Sequence, residues 1–313
     1  SVPQPTYKDK DLRKAVALEK AKAQDETEVF ANDSKKKIYM HWMYDVPMGE
    51  QLDDDGDSLE SIEGCLTDAQ YNRDEHRKAV IDDILDNWVS QSHNGKFHAI
   101  LATSSIPEAI KYYKLFAQRD CGLKTTAVFD PSDGNNESSI EKIDGIAQML
   151  EDYNSLFGTC FNISGYASFK RDVCARLAHK TPYTAVENEP SKCLDILIVV
   201  DQMLTGYDSK WLNTLYMDKF YKWSNIEMII QAFSRTNRVF NDDKPHGIIR
   251  YYRRPYTMKN IIEYAFEQYS GQKPYGIFVA KLIQNLENMN AAFSDINDIF
   301  KIAGIPDFFK TSR

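Results

Sequence analysis

Five consecutive residues, Ile196-Leu197-Ile198-Val199-Val200, constrain the fold of this chain more than any other feature. The run is short, rich in β-branched side chains and bounded by Asp195 and Asp201. That pattern suits a strand buried on both faces of a parallel sheet. Leu204-Thr205-Gly206-Tyr207-Asp208 then reads as a loop at the strand's carboxy end, where open α/β sheets place their ligands. A second strand is predicted over 214–218 and a third over 246–251. Between them Ser224 or Asn225 can cap a helix whose Ile226, Ile229, Ile230 and Phe233 recur at helical spacing. Gln231, Arg235 and Arg238 lie four and three residues apart, so an unbroken helix presents one amide and two guanidiniums on one face.

Upstream, strands are predicted over 97–103 and 125–129. Ser104 or Ser105 starts the helix after the first of these, with Pro107 in its first turn and Ala109, Tyr112, Tyr113 and Phe116 as its buried stripe. Residues 139–157 and 166–178 have helical character and lengthen the connection to the central strand. The alternation implies an α/β fold with a mainly parallel sheet flanked by helices. Residues 1–94 form a lead-in: an alanine- and lysine-rich helix former (DLRKAVALEKAKAQDE), a strand or hairpin arm at 35–49, an acidic loop at 51–64 and a helix through Val80, Ile84 and Trp88. The α/β region is bounded at 95–255. Beyond it, over 256–313, YTMKNIIEYAFEQYSG, FVAKLIQNLENMNAAF and INDIFKIAG predict two or three helices.

Charge enters because the net value of −8 argues against a nucleic-acid partner. The acidity is localised. Residues 41–86 hold 14 acidic residues against three basic ones, whereas 201–254 hold nine basic against six acidic. No apolar run is long enough to span a bilayer, and the amino terminus lacks a signal-peptide core. Five cysteines without CxxC spacing fit reduced thiols in a cytoplasm.

At the motif level the resemblance becomes specific. QAFSRTNR resembles the Q-x-x-x-R-x-x-R motif that closes the second lobe of superfamily 2 helicases and translocases, and VVDQMLTGYD resembles the Asp-(x)4-Gly-x-Asp motif before it. The longer string DQMLTGYDSKWLNTLYMDK…QAFSRTNRV is similar to the motor (R) subunit of type I restriction enzymes, as is FHAILATSSIPEAIKYYKLFA upstream. The likeness covers roughly residues 70–255. It implies a RecA-like second motor lobe within a fragment of an enzyme that hydrolyses ATP with Mg2+, moves along double-stranded DNA and cleaves it. Another superfamily 2 translocase or helicase, and a non-enzymatic adaptor with this fold, are the alternatives.

By that resemblance Arg238 is the arginine finger and Arg235 its neighbour at the γ-phosphate, planar permanent cations suited to charge developing in phosphoryl transfer. Gln231, Gly206 and Asp208 would attend the nucleotide, Asp208 near the ribose or in coupling. Gly206 suits a positive φ or close approach of backbone to ligand. Thr103, Ser104 and Ser105 either cap a helix or contact DNA phosphates, and Thr205 is a further phosphate candidate. Arg250, Arg253 and Arg254 with Tyr251 and Tyr252 are either DNA contacts or a solvated basic strand end. Asp74-Glu75-His76 mimics a nucleotide-binding acidic motif but lacks a preceding apolar strand. The sequence contains no GxxxxGK[ST] loop, no E-x-K triplet and no clustered metal ligands. ATP would therefore be held mainly by the first motor lobe of a longer chain, which would also carry the nuclease domain, and this fragment alone would bind it weakly. Expected partners are duplex DNA and the methyltransferase and specificity subunits.

Overall fold

The apolar runs assemble into one sheet in a computed structural model of the chain, which describes residues 8–119, 121–129, 139–200, 207–238, 240, 244, 246–269, 293, 294, 296, 300 and 301. Its strands are β1 (His98–Thr103), β2 (Thr125–Val128), β3 (Ile196–Val199), β4 (Leu212–Asp218) and β5 (Ile248–Tyr251). They lie in the order β2-β3-β1-β4-β5, and every neighbouring pair is parallel. All residues of β1, β3 and β4 are buried, as expected for strands covered on both faces. The half-buried β5 closes one edge. This is a RecA-like α/β sheet.

Helices supply the cover. Ser105 caps α6 (Ile106–Gln118) by accepting from the Glu108 amide, and Ala109, Tyr112, Tyr113 and Phe116 are buried. Next come α7 (Ser139–Phe157) and α8 (Tyr166–Leu177), where the helical pattern predicts them. Between α8 and β3, residues 179–192 form a loop with two single tight turns. The lead-in contributes α1 (Asp9–Lys20), α2 (Glu26–Phe30), α3 (Asp33–Tyr44), the single turn α4 (Asp68–Tyr71) and α5 (Asp74–Gln91).

One expectation is overturned in the lead-in. Residues 35–49 are not a strand or hairpin arm, because Asn32 accepts from the Ser34 and Lys35 amides and starts a helix there. Tyr39 and Trp42, three apart, then bury against Val16, Ala17 and Val29. Local capping and a helical burial stripe outweigh the β propensity of Ile, Tyr and Trp. The long Ala/Lys helix also breaks into two, with Lys22 at φ 51° and Asp25 capping the second piece.

The chain divides into two compact units, Ser1–Ile262 and Glu263–Arg313. The sheet and every contact discussed here lie in the first, and α10 (Pro255–Tyr269) crosses the boundary. Residues 293, 294, 296, 300 and 301 are helical, and the remainder of the helices expected after Tyr269 lies outside the described residues, as do residues 130–138.

Buried polar ties fasten the lead-in to the lobe. Asp218 ends β4 fully buried, in register with Thr103 at the end of β1. His76 Nε2 lies 2.7 Å from its Oδ1, Tyr112 donates to Oδ2 at 2.9 Å, and Arg253 contributes Nε at 3.0 Å and a second nitrogen at 3.1 Å. Burial alone would raise the carboxyl pKa. The hydrogen bond from His76 and the charge of Arg253 more than offset it and hold the group at about 2. Beside it Arg77 grips Glu108 with two bonds of 2.8 Å, and Asp83 accepts from Arg250 and Tyr252. Removing one partner of such a cluster strands a buried charge. Arg253→Ala is expected to cost about 3–5 kcal/mol in chemical denaturation. A loss under about 1 kcal/mol would show that Asp218 does not depend on that guanidinium.

At the opposite end of the sheet Lys244 is buried with its Nζ donating to the carbonyls of Leu212 (2.6 Å) and Lys210 (3.2 Å). Burial lowers its pKa to about 8. Between about pH 8 and the unfolded-chain value near 10.4, the unfolded state holds a proton that the folded state has released. Stability from this group therefore rises with pH through that window. Lys244→Met should flatten the rise when denaturation is followed from pH 7.5 to 10. An unchanged profile would mean that the ammonium is not desolvated.

Candidate functional site

The strands fix two ends, and the expected site residues divide between them. Ser104 and Ser105 follow the carboxy end of β1, whereas the segment 207–211 delivers the chain to the amino end of β4. There the Tyr207 hydroxyl lies 3.1 Å from His98 Nε2 at the start of β1, and the His98 amide donates to the Trp211 carbonyl. Asp208 thus sits at the amino end of the sheet, not at the carboxy end of β3 where the strand–loop pattern placed it. The connection between β3 and β4 must run the full length of the sheet because both strands are parallel to β1 between them. Thr205, Gly206 and Asp201 fall on this connection, outside the described residues.

The helix carrying the arginine motif is shorter than its periodicity predicts. It spans α9 (Ile226–Ser234), with Ile229, Ala232 and Phe233 buried. Asn225 occupies the cap position without a side-chain capping bond. Arg235 is the C-cap residue and Arg238 lies beyond the helix. The physical cause is a close approach at Gly247, where an added Cβ would fall 2.2 Å from Thr236 Cβ and 2.5 Å from its carbonyl oxygen. The chain entering β5 therefore presses on the turn after Ser234, and Thr236 is buried there with its hydroxyl on the Phe233 carbonyl at 3.1 Å. Gln231 remains one turn before Arg235 on the exposed face of α9.

Both arginines nevertheless converge on one short segment. Arg235 donates to the Tyr207 carbonyl at 3.2 Å. Arg238 forks onto the next residue, with Nε 2.7 Å from Asp208 Oδ1 and a terminal nitrogen 3.0 Å from Oδ2. The partners are 62% and 55% exposed, so the pair stands in solvent while Tyr207 and Ser209 on either side are buried. Around this segment Trp211 stacks on His179 at 3.9 Å and meets Phe240 at 4.6 Å, with Lys210 over both Trp211 and Phe240. Burial lowers the pKa of His98 well below its ordinary value and lowers that of His179, so both favour the neutral form. A bidentate guanidinium fork and a half-buried neighbour are suited chemically to two oxygens of a carboxylate or phosphate.

At the carboxy end the three hydroxyl residues differ. Thr103 is fully buried, and its hydroxyl donates to the Val199 carbonyl at 3.0 Å, so it faces β3 and not solvent. Ser105 is the cap of α6, and Ser104 is partly exposed beside it. Among the described residues that follow β1, Ser104 and Ser105 are the partly exposed hydroxyls, and that of Ser105 already caps α6.

The basic strand end at 250–254 is not a freely solvated edge, because its arginines are engaged within the chain. Arg253 is buried on Asp218, Arg250 is paired to Asp83, and Arg254 donates to the Leu66 carbonyl while its amide bonds the Tyr71 hydroxyl at 3.0 Å. The Arg250 and Arg254 contacts tie the lead-in to the lobe, as does a further bond from Arg253 to Asn72. His76, in the triplet resembling an acidic motif, belongs to the same cluster. Sequence reasoning missed the cluster because its members are far apart in the chain: His76 and Asp218 alone are separated by 142 residues. The available hint was an aspartate directly after the Leu215-Tyr216-Met217 run of a buried strand, which demands buried donors. Among the described residues no group of three or more side chains is placed to hold a metal ion, and no helix is long and apolar enough to cross a membrane.

Comparison with known proteins places this arrangement in a family. The family model for type I restriction enzyme subunit R domain 3 matches residues 95–254, just over half of the chain. The type I restriction enzyme SsaAORF53P endonuclease subunit of Staphylococcus saprophyticus is 32% identical over 213 residues, covering 65% of this chain and 22% of that protein. The SauMRSORF196P endonuclease subunit of Staphylococcus aureus is 31% identical over 200 residues, 61% of this chain and 20% of its own length. The HindI endonuclease subunit of Haemophilus influenzae is 42% identical over 60 residues, 19% of this chain and 5% of that protein. The chain thus spans about a fifth of the length of the first of these relatives. With a parallel sheet of this order and the paired motifs at its amino end, the chain belongs to the R-subunit family of type I restriction enzymes.

Proposed function

We propose that this chain is the second motor lobe, with flanking segments, of an R subunit that hydrolyses ATP to move along double-stranded DNA and cleave it. The observation that carries the proposal is the convergence of Arg235 and Arg238 on consecutive residues, Tyr207 and Asp208, at one end of the sheet. The Arg238 fork already accommodates two oxygens of one anion, which is the geometry a phosphate group would use. The chain fits one side of a nucleotide site and not a complete one, since it has no phosphate-cradling GxxxxGK[ST] loop.

Bound ATP with Mg2+ would supply the transferable phosphoryl group, held chiefly by the first motor lobe of the same longer chain. Arg238 would neutralise charge developing on that group, and Arg235 would orient the segment that carries Asp208. Gln231 would attend the nucleotide from this side. Ser104 and Ser105 would contact the DNA backbone at the other end through their hydroxyls, with Thr103 fixing the strand end beneath them and Thr205 a further candidate. The six residues of β1 separate the two sets by roughly 20 Å at about 3.3 Å per residue. A nuclease domain in the same chain, with methyltransferase and specificity subunits, would complete a cytoplasmic assembly in which another subunit reads the target.

The isolated chain is expected to show no appreciable ATP turnover with or without DNA, measured by phosphate release. Robust turnover that disappears in Arg238→Ala would overturn the shared-site proposal. In the full-length subunit, Arg238→Ala should lower DNA-stimulated turnover on the order of 10³-fold or more. Its thermal stability should change by no more than about 1 kcal/mol, because the side chain is exposed. Arg238→Lys should restore little, since a point ammonium lacks the planar fork. Near-normal turnover in Arg238→Ala would assign the arginine to the surface ion pair alone.

A further inference from the structure

Asp208 is an exposed carboxylate held between two buried anchors. On one side Tyr207 is buried with its hydroxyl 3.1 Å from His98 Nε2. On the other Ser209 is buried, its hydroxyl 3.4 Å from the Leu177 carbonyl and accepting from the Trp211 amide at 3.1 Å. The backbone at 208 is therefore fixed while its side chain stands in water. Arg238 is placed just as firmly by Thr236 packed against Gly247, yet its guanidinium is 62% exposed. The two side chains meet through both carboxylate oxygens, at 2.7 and 3.0 Å.

We propose that Asp208 occupies the Arg238 fork in the resting lobe as a stand-in for phosphate, and that an incoming nucleotide must displace it. The proposal rests on the reading of Arg238 as the phosphate-contacting arginine. An ion pair this exposed is weak, because water screens it and two side chains must be ordered to make it. A di- or triphosphate carries more charge than a carboxylate and presents paired oxygens in the same plane, so it can take the fork over. Asp208 then acts as a competitor that keeps the arginine aimed and raises the nucleotide concentration needed to engage it. The apparent affinity is reduced by the fraction of lobes whose fork is already filled. Arg235 stays tied to the Tyr207 carbonyl throughout, a contact that does not compete for its charge.

The test is a double-mutant cycle in the full-length subunit. Asp208→Asn, Arg238→Ala and the double variant are titrated with a fluorescent non-hydrolysable ATP analogue in the presence of Mg2+, beside DNA-stimulated turnover and a thermal melt. Asp208→Asn is expected to tighten the analogue about two- to fivefold, the span of an exposed ion pair. That gain should vanish in the Arg238→Ala background. Weaker or unchanged binding in Asp208→Asn would overturn the proposal by making Asp208 a nucleotide contact or a bystander. A gain that persists without Arg238 would also overturn it, since it would reflect simple charge repulsion. If Arg238→Ala alone keeps normal turnover, the phosphate role of Arg238 fails instead, and the two failures are told apart by that single variant.

Discussion

The carboxylate of Asp218 is the group around which the first unit is built. It ends β4 at the crevice between the carboxy ends of β1 and β4, where the strand order reverses and open sheets ordinarily hold a ligand. Here the crevice is filled from within the chain. His76 arrives from the lead-in helix α5, Arg253 from the segment after β5, and Tyr112 from α6. A carboxylate with no exposure is tolerable only when its lone pairs are taken by strong donors, and these three elements supply them. The same clasp draws Arg77 onto Glu108 and sets the lead-in against the sheet. Helix α5 is thus an integral wall of the lobe although it precedes the residues that match the family.

Filling that crevice leaves the amino end of the sheet as the place where exposed charged motifs gather. The segment from Tyr207 to Trp211 is pinned there by His98, and the turn after α9 is pinned by Gly247. Two elements that are distant in sequence are each anchored by buried residues, while Asp208 and Arg238 stand exposed between them. The buried Lys244, spending its protons on the carbonyls of Lys210 and Leu212, ties this corner together at an electrostatic cost.

Much of the fold was legible because burial on both faces writes itself as an apolar run. Ile196–Val199 and the residues around Ile100 could be little else than central strands, and the stripe through Ala109, Tyr112 and Phe116 could only lie on a helix. The segment at 35–49 misled because Ile38, Tyr39 and Trp42 suit strands by propensity, whereas the cap at Asn32 and the packing of Tyr39 with Trp42 made it a helix. Arg250, Arg253 and Arg254 looked like surface charge because nothing near them in sequence is acidic. Their partners, Asp83 and Asp218 and the Leu66 carbonyl, come from elsewhere in the chain.

By itself the sequence determined the class of fold, the order of its motifs and the family, since each depends on local patterns of burial and on residues at fixed spacing. It also named Arg235, Arg238 and Asp208 as a set. Their arrangement was decided only in three dimensions. The arginine helix stops at Ser234 because backbone from β5 crowds Thr236, and Asp208 reaches the amino end because a connection between parallel strands must recross the sheet. Both causes are contacts between segments that no local pattern links. The pairing of Arg238 with Asp208, and the burial of Asp218 beneath His76 and Arg253, therefore became visible only in the folded chain.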